Sequence, residues 1–411
     1  MSSSRHDRRS VGARRLLVLG CRDLLLTAIA ISSALLLVGV VTVHHAFLFD
    51  FRGGLYDAGT AIIDGHDPYR ASFLAHQAAI MHAGGVAAGE TAANAFSIPV
   101  YPAPANLAIL PLSLLPFWLA GALFTLLSVG ATILGLRLLG VRDWRCIAIA
   151  LVSWPSLNGL DLGAAGPLIL LGAAVLWRWR ERLWPPAIAL TGIVVLKIFP
   201  WPLGVWLLVT RRYRTFALSV LIGAVVTFAA WAVIGFAGMA QYPEMLSNLS
   251  FIQEGRAVSL VAVLLAAGLP VTAADTVAIA AAAALLALAW RFVKRPEGDR
   301  QAFGLAVMAA LTASPIVWEH YLLLLFVPIA LISPRLSTIW LLPLCGPLSL
   351  TICLAFGTSA YQTTIRTAIS WLTWEAVLVG WICWKRPGLS RTRPSSPCRP
   401  PGRRARSSVP A

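Results

Sequence analysis

Charge is scarce in this 411-residue chain. Only 12% of the residues are Asp, Glu, Lys or Arg, about half the share of a soluble domain. With 58% of residues hydrophobic and a mean hydropathy of +0.77, this shortage excludes an ordinary soluble protein. It implies a helical chain that enters the membrane many times. The short alternating segments of a membrane β-barrel are also lacking; the apolar stretches are unbroken runs of Leu, Ala, Ile and Val. Cysteine is sparse. Cys21, Cys146, Cys345, Cys353, Cys383 and Cys398 form no CxxC pair and no zinc spacing, and most read as small apolar fillers. GxxxxGK[ST], HExxH and GxSxG are all missing, and no loop is long enough to hide a cytosolic nucleotide-binding domain.

What is present is an excess of base over acid: 33 Lys and Arg against 17 Asp and Glu, a net charge of +16. The location of that charge argues against nucleic acid. Arg residues crowd the termini and the short loops between apolar runs, the positive-inside pattern of a membrane protein. Residues 1–23 form a basic cytoplasmic N-terminus, 24–384 a transmembrane domain, and 385–411 a Ser-, Pro- and Arg-rich cytoplasmic tail that cannot bury a core. Leu24 to Leu48 is apolar for about 25 residues, long enough to span. It lacks a small-residue cleavage site and reads as an uncleaved first helix.

The first outer loop, 49–104, holds helical stretches at 57–63 and 71–83, and closes on the Pro-rich run Pro99 to Pro104. Residues 105–139 are interrupted at Pro111 and Pro116. Residues 146–160 and 164–177 are short for spans and are expected to be irregular or buried. Residues 185–209 lie between the basic loops Arg178–Arg182 and Arg211–Arg214. If both loops are cytoplasmic, this segment enters and returns, breaking at Lys197 to Pro202 with Lys197 at the tip. Residues 237–255 and 357–367 read as outer turns. The total is roughly 10 to 13 transmembrane or re-entrant helices.

One stretch stands out. Asp50, Asp57, Asp64 and Asp67, four of the 17 acids, fall within 18 positions just after the first span. A carboxylate cluster beside lipid is costly. Two roles fit Asp50: a solvated marker of the membrane boundary, or a base with an apolar flank at Phe49 and Phe51 that raises its pKa. Asp64 and Asp67 sit in turn chemistry, Asp64-Gly65-His66-Asp67-Pro68. Lys197 either snorkels to the interface or lines a functional cavity. His320, beside Glu319, and Arg256, at an outer helix end, are further candidates, Arg256 for a phosphate or as a helix anchor. An enzyme at the outer face, without a nucleotide site, needs a substrate such as a lipid-linked donor.

These residues carry a resemblance. Asp50-Phe51, Tyr56 and Ala58, then Gly65-His66-Asp67-Pro68-Tyr69, resemble the opening of glycosyltransferase family 87, the polyprenol-phosphate-mannose-dependent α-mannosyltransferases. Tyr101-Pro102-Ala103-Pro104 with Leu112 to Pro116 follows in order. So do Lys197 with Pro200, Asn248-Leu249-Ser250 with Arg256, and Ser314-Pro315 with Trp318, Glu319 and His320. The turn Gly163 to Pro167 sits where the family has a Gln and an Asn, and lacks both. The resemblance implies a GT-C glycosyltransferase fold, all-α and polytopic, with an outer loop bearing short helices. It implies a cell-membrane enzyme with both termini cytoplasmic and the site on the periplasmic face. It further implies a polyprenol-phosphate sugar donor, usually mannose, a glycolipid or glycan acceptor, and inversion at the sugar. Asp50 would be the base, with Asp57 its rival. Lys197, Arg256 and His320 would hold the leaving phosphate, and Tyr56, Tyr101, Asn248, Trp318 and Glu319 would line the substrate site. No metal or cofactor is called for, because the leaving group is a lipid monophosphate. A transporter or lipid flippase is the competing class; inverted repeats and a midplane charge pair would mark it, and no clear repeat is evident.

Overall fold

The computed structural model describes residues 48–69, 101–253, 257–296, 298–344 and 360–384, with positions 24, 28 and 31 besides. The expected helix at 71–83, most of the first span, both termini and Arg256 lie outside the described residues. Regular structure among the described residues is all helical, without strands.

The first element, α1, combines an α-turn at Phe49–Phe51, a π-helical turn at Arg52–Tyr56 and an α-helix at Asp57–Ile63. Then come α2 (Ala103–Ala108), α3 (Leu110–Ser113), α4 (Phe117–Leu138), α5 (Trp144–Val152), α6 (Trp154–Leu162) and α7 (Gly166–Arg178). The middle of the chain holds α8 (Trp184–Leu196), α9 (Pro202–Val209), α10 (Tyr213–Val233), α11 (Tyr242–Gln253), α12 (Leu260–Ala266) and α13 (Val271–Val293). The last part holds α14 (Asp299–Thr312), a 3₁₀ helix (Glu319–Leu325) running into α15 (Phe326–Ile332), a second 3₁₀ helix (Thr338–Leu344) and α16 (Ala360–Trp384).

Among the described residues three helices are long and apolar enough to cross a membrane: α4, α10 and α13, of 22, 21 and 23 residues. At 1.5 Å per residue each reaches about 30 Å or more, the thickness of the hydrocarbon core. Their outward surfaces are apolar: Leu126 and Leu134 on α4, Leu221, Val225 and Phe228 on α10, Val277 and Ile279 on α13 are exposed. In water that would be a large unsatisfied patch; in lipid it is the expected face. Each long helix packs its other side on a shorter one, α4 on α7, α10 on α8 and α13 on α14.

The shorter helices are the core. In α14 every residue from Gln301 to Leu311 is buried, and Phe303 packs against Trp177 and Trp206 at ring distances of 5.3 and 4.7 Å. Their shortness follows from the residues at their ends. Proline opens α6, α7, α8 and α9, where a missing N–H is harmless. Gly163, with φ 66°, closes α6 in the left-handed conformation that ends helices. The axis turns by 119° between α6 and α7. The segments expected to be irregular, 146–160 with 164–177 and 185–209, are these broken pairs, and the second breaks at residues 197–201 as the sequence suggests.

Two expected turns are helices. Within 237–255, α11 starts at Tyr242-Pro243-Glu244, with proline and an acid in the first turn, and buries Met245. Within 357–367, helix α16 already begins at Ala360; no proline interrupts it before Trp384.

The basic loops meet at one end. Arg180 Nε and Arg212 Nη2 each lie 3.0 Å from the Asp299 carboxylate. The Trp206 indole N–H donates to the same carboxylate at 3.1 Å, and Arg212 reaches Glu181 at 2.6 Å. From Arg178, α7 runs back over 13 residues, about 20 Å at helical rise, to the elbow where the acidic segment sits.

Candidate functional site

Asp50 lies in the first turn of α1. Leu48 before it has φ 56°, a left-handed conformation unusual for a residue with a side chain. Its N–H donates to the Asp161 carbonyl at 2.5 Å, and its own carbonyl accepts from Arg52 N–H at 2.8 Å. Phe51 is fully buried and stacks on Phe124 at 4.5 Å. Leu48 and Phe51 pin the backbone on both sides of Asp50. Gly53 and Gly54 are buried in the π-turn that follows; such turns gather at functional sites.

The Asp50 side chain, 28% exposed, places Oδ2 3.9 Å from His320 Nε2. His320 is 2% exposed. Neither of its ring nitrogens has a hydrogen-bond partner among the described residues. A buried polar group is normally paired, so an unpaired imidazole facing a carboxylate marks a place that a ligand's polar group can fill. Burial pushes the Asp50 carboxyl above the ordinary carboxylate range, against the pull of the Lys197 ammonium. Burial, helped by Lys197, holds the His320 imidazole well below its usual pKa, and therefore neutral at pH 7.

Lys197 is the cation of this cluster. It stands at the break between α8 and α9, with an extended backbone. Its ammonium donates to the Tyr321 hydroxyl at 2.9 Å. It lies 4.3 Å from the Tyr321 ring centre and 5.2 Å from that of Tyr101. Phe199 stacks on Tyr321 at 4.7 Å and fixes that ring. Tyr101 is buried, and its hydroxyl has no partner among the described residues. Asn106, fully buried, donates to the Tyr69 hydroxyl at 2.9 Å and to the Tyr101 carbonyl at 3.3 Å. Tyr69 in turn donates to the Tyr101 carbonyl at 2.7 Å. The dipeptide entry to α2 is therefore locked beneath the lysine.

The structure thus gathers Asp50, Lys197, Tyr101 and His320 from four distant segments. Other candidates stand apart. Asp57 is exposed at the start of the Asp57–Ile63 helix, and the charge acting on it is Arg52. Tyr56 spends its hydroxyl on the Leu115 carbonyl at 2.7 Å. Glu319 accepts from the Trp154 indole N–H. Burial brings the Glu319 carboxyl up to about 7, with the Trp154 bond opposing. Trp318 is half-buried at the entrance of that 3₁₀ helix. Asn248 falls on α11, but its side chain is outside the described residues. Among the described residues no three His, Cys, Asp or Glu side chains gather closely enough to hold a metal. Sequence reasoning missed Tyr321, Trp154, Tyr69 and Asn106. Tyr321 follows His320 directly, and the segment Trp318 to Tyr321 was the signal; the others are visible only through contacts across the fold.

Fold and site together define a polytopic helical membrane protein with a carboxylate, a neutral imidazole and an ammonium gathered at a helix break. The family model for glycosyltransferase family 87 matches residues 100–315, just over half of the chain. The chain belongs to that family. Among curated proteins it is similar to the polyprenol-phosphate-mannose-dependent alpha-(1-2)-phosphatidylinositol pentamannoside mannosyltransferase of Mycolicibacterium smegmatis. The identity is 26% over 281 residues, 62% of this chain and 63% of the relative. The protein of the same description from Mycobacterium tuberculosis is 29% identical over 251 residues, 55% of this chain and 56% of the relative. The match thus spans about 60% of the length of these relatives. No solved structure matches.

Proposed function

We propose that this chain transfers a mannosyl group from a polyprenol-phosphate donor to a hydroxyl of a glycolipid or glycan acceptor, at the periplasmic face of the cell membrane and with inversion. The observation that carries the reading is the Asp50–His320–Lys197 cluster, in which a carboxylate held above its ordinary pKa faces a neutral imidazole and an ammonium. Family membership and the two mannosyltransferase relatives support the donor class.

In the reaction Asp50 accepts the proton of the acceptor hydroxyl. The acceptor oxygen bonds to the sugar C1 from the face opposite the leaving group. The C1–O bond to the lipid phosphate breaks, and the electron pair leaves with the phosphate. Lys197 meets the developing phosphate charge. It is steered by the Tyr321 hydroxyl and by two ring faces, a fixed cation of the kind that lowers such barriers. Asp50, neutral once it holds that proton, later releases it to water and returns to the carboxylate. Neutral His320, whose Nε2 lies 3.9 Å from Asp50 Oδ2 and has no partner among the described residues, hydrogen-bonds the incoming hydroxyl; its neutrality suits hydrogen bonding better than charge pairing with phosphate. Arg256 keeps the second phosphate-binding role that the family motif suggests.

The test is donor choice. Purified protein in lipid nanodiscs is given radiolabelled polyprenol-phosphate mannose, or a nucleotide-linked mannose, with a mixed glycolipid acceptor pool. Label passing to glycolipid from the lipid donor alone is expected. Label from the nucleotide donor alone, or movement of substrate across vesicles with no sugar transferred, contradicts the proposal.

A further inference from the structure

The elbow between α6 and α7 touches both halves of the proposed reacting pair, and glycine stands at each point of touch. On the Asp50 side, a Cβ on Gly163 would lie 2.6 Å from Phe51 Cβ and 3.0 Å from Leu48 Cδ2, the residues that flank Asp50. On the His320 side, a Cβ on Gly166 would lie 3.0 Å from the His320 carbonyl oxygen. One on Gly159 would lie 3.2 Å from His320 Cβ. The last turn of α6 also supplies the Asp161 carbonyl that holds Leu48 N–H. Between these points Ala164 and Ala165 are fully buried. The carboxylate segment and the imidazole segment both rest on this one turn.

We infer that this elbow is a positioning element for catalysis, and that Gly163 sets where Asp50 stands relative to His320. The inference deepens the base assignment above and rests on it. Its size follows from the geometry. Carbon–carbon contacts relax at about 3.5 Å, so an alanine at 163 drives the Leu48–Phe51 segment back by roughly 1 Å. A misplacement of that order costs about 100-fold in rate. Lys197 is not among the atoms nearest a Cβ built at Gly159, Gly163 or Gly166, so the lysine that meets the donor phosphate is expected to keep its place and donor binding to be spared.

An alanine at 163 also strains the backbone, because φ there is +66°. Gly235, with φ +65° and no atom near a built Cβ, carries the same strain without the collision. The experiment compares Gly163→Ala, Gly166→Ala, Gly235→Ala and Asp50→Asn as purified full-length proteins, for melting temperature, kcat, and KM for polyprenol-phosphate mannose. The expected result is a kcat loss of about 100-fold in Gly163→Ala with donor KM unchanged, a loss of the same kind in Gly166→Ala, and wild-type kcat in Gly235→Ala. If Gly163→Ala fails to fold, Gly166→Ala decides by the same criterion. An inactive Asp50→Asn beside a Gly163→Ala as fast as Gly235→Ala overturns the elbow alone. A loss confined to donor KM does the same. A fully active Asp50→Asn removes the base assignment, and the inference with it.

Discussion

Lys197→Met isolates the role of the ammonium. Methionine keeps an unbranched apolar stem of similar length in the space between Tyr101 and Tyr321 and deletes the charge. The wild-type ammonium is held by one hydrogen bond at 2.9 Å and two ring faces at 4.3 and 5.2 Å, so it is already fixed when donor arrives. A charged hydrogen bond to a phosphate oxygen contributes about 1.5–3 kcal/mol, which converts to roughly 10- to 150-fold in kcat/KM for the lipid donor. There is a second consequence. Burial raises the Asp50 pKa and Lys197 opposes that rise; without the lysine only the rise remains. A base works deprotonated, so its rate falls as pH drops through its pKa. The acid limb of the pH–rate profile therefore moves to higher pH in Lys197→Met, and the deficit is largest at low pH. The assay is initial rates of label transfer from radiolabelled polyprenol-phosphate mannose at several donor concentrations and pH values. Unchanged kcat/KM, or an acid limb displaced to lower pH, refutes the electrostatic reasoning.

Asp57→Asn should retain near wild-type transfer, since Asp57 is exposed and outside the cluster; inactivity comparable to that of Asp50→Asn in the same assay would reverse the choice of acid. Glu319→Gln tests linkage. The folded carboxyl titrates near 7 against an ordinary value of 4.5, so the folded state holds its proton more tightly and stability falls as pH rises from 4.5 to above 7. Glutamine abolishes that dependence, so the melting temperature of the variant relative to wild type should climb across this window; a parallel pair of curves would refute it. Asp299→Asn strips Arg180 and Arg212 of their shared partner at the basic end. It should lower thermal stability by about 1–3 kcal/mol and leave kcat unchanged, as thermal-shift and transfer assays will report.

Much of this architecture was legible in the residues. The shortage of charge pointed to membrane helices and the lengths of the apolar runs to segments too short to span, and the break at Lys197 fell where two basic loops, if both cytoplasmic, would make the chain return. Asp50 was legible because an acid at the end of an apolar run is locally anomalous. The partners of these residues were not. Tyr321 meets Lys197 across 124 positions and Trp154 meets Glu319 across 165, and no local periodicity encodes such pairings. The turn Gly163 to Pro167 stood out only for lacking the Gln and Asn of a family motif. The importance of Gly163 lies in a close approach to Phe51 that only the folded chain creates. The helix at Tyr242–Gln253 was hidden by its polar residues, which read as loop until one face was seen to bury Met245.

The central claim is that Asp50 removes the acceptor proton while sugar leaves a lipid phosphate. The most direct measurement is single-turnover transfer from radiolabelled polyprenol-phosphate mannose by purified wild type and Asp50→Asn, each shown to be folded and to bind donor. The account predicts donor binding preserved and transfer reduced by about 100- to 10,000-fold, the usual contribution of a general base. Transfer at the wild-type rate in Asp50→Asn would contradict it.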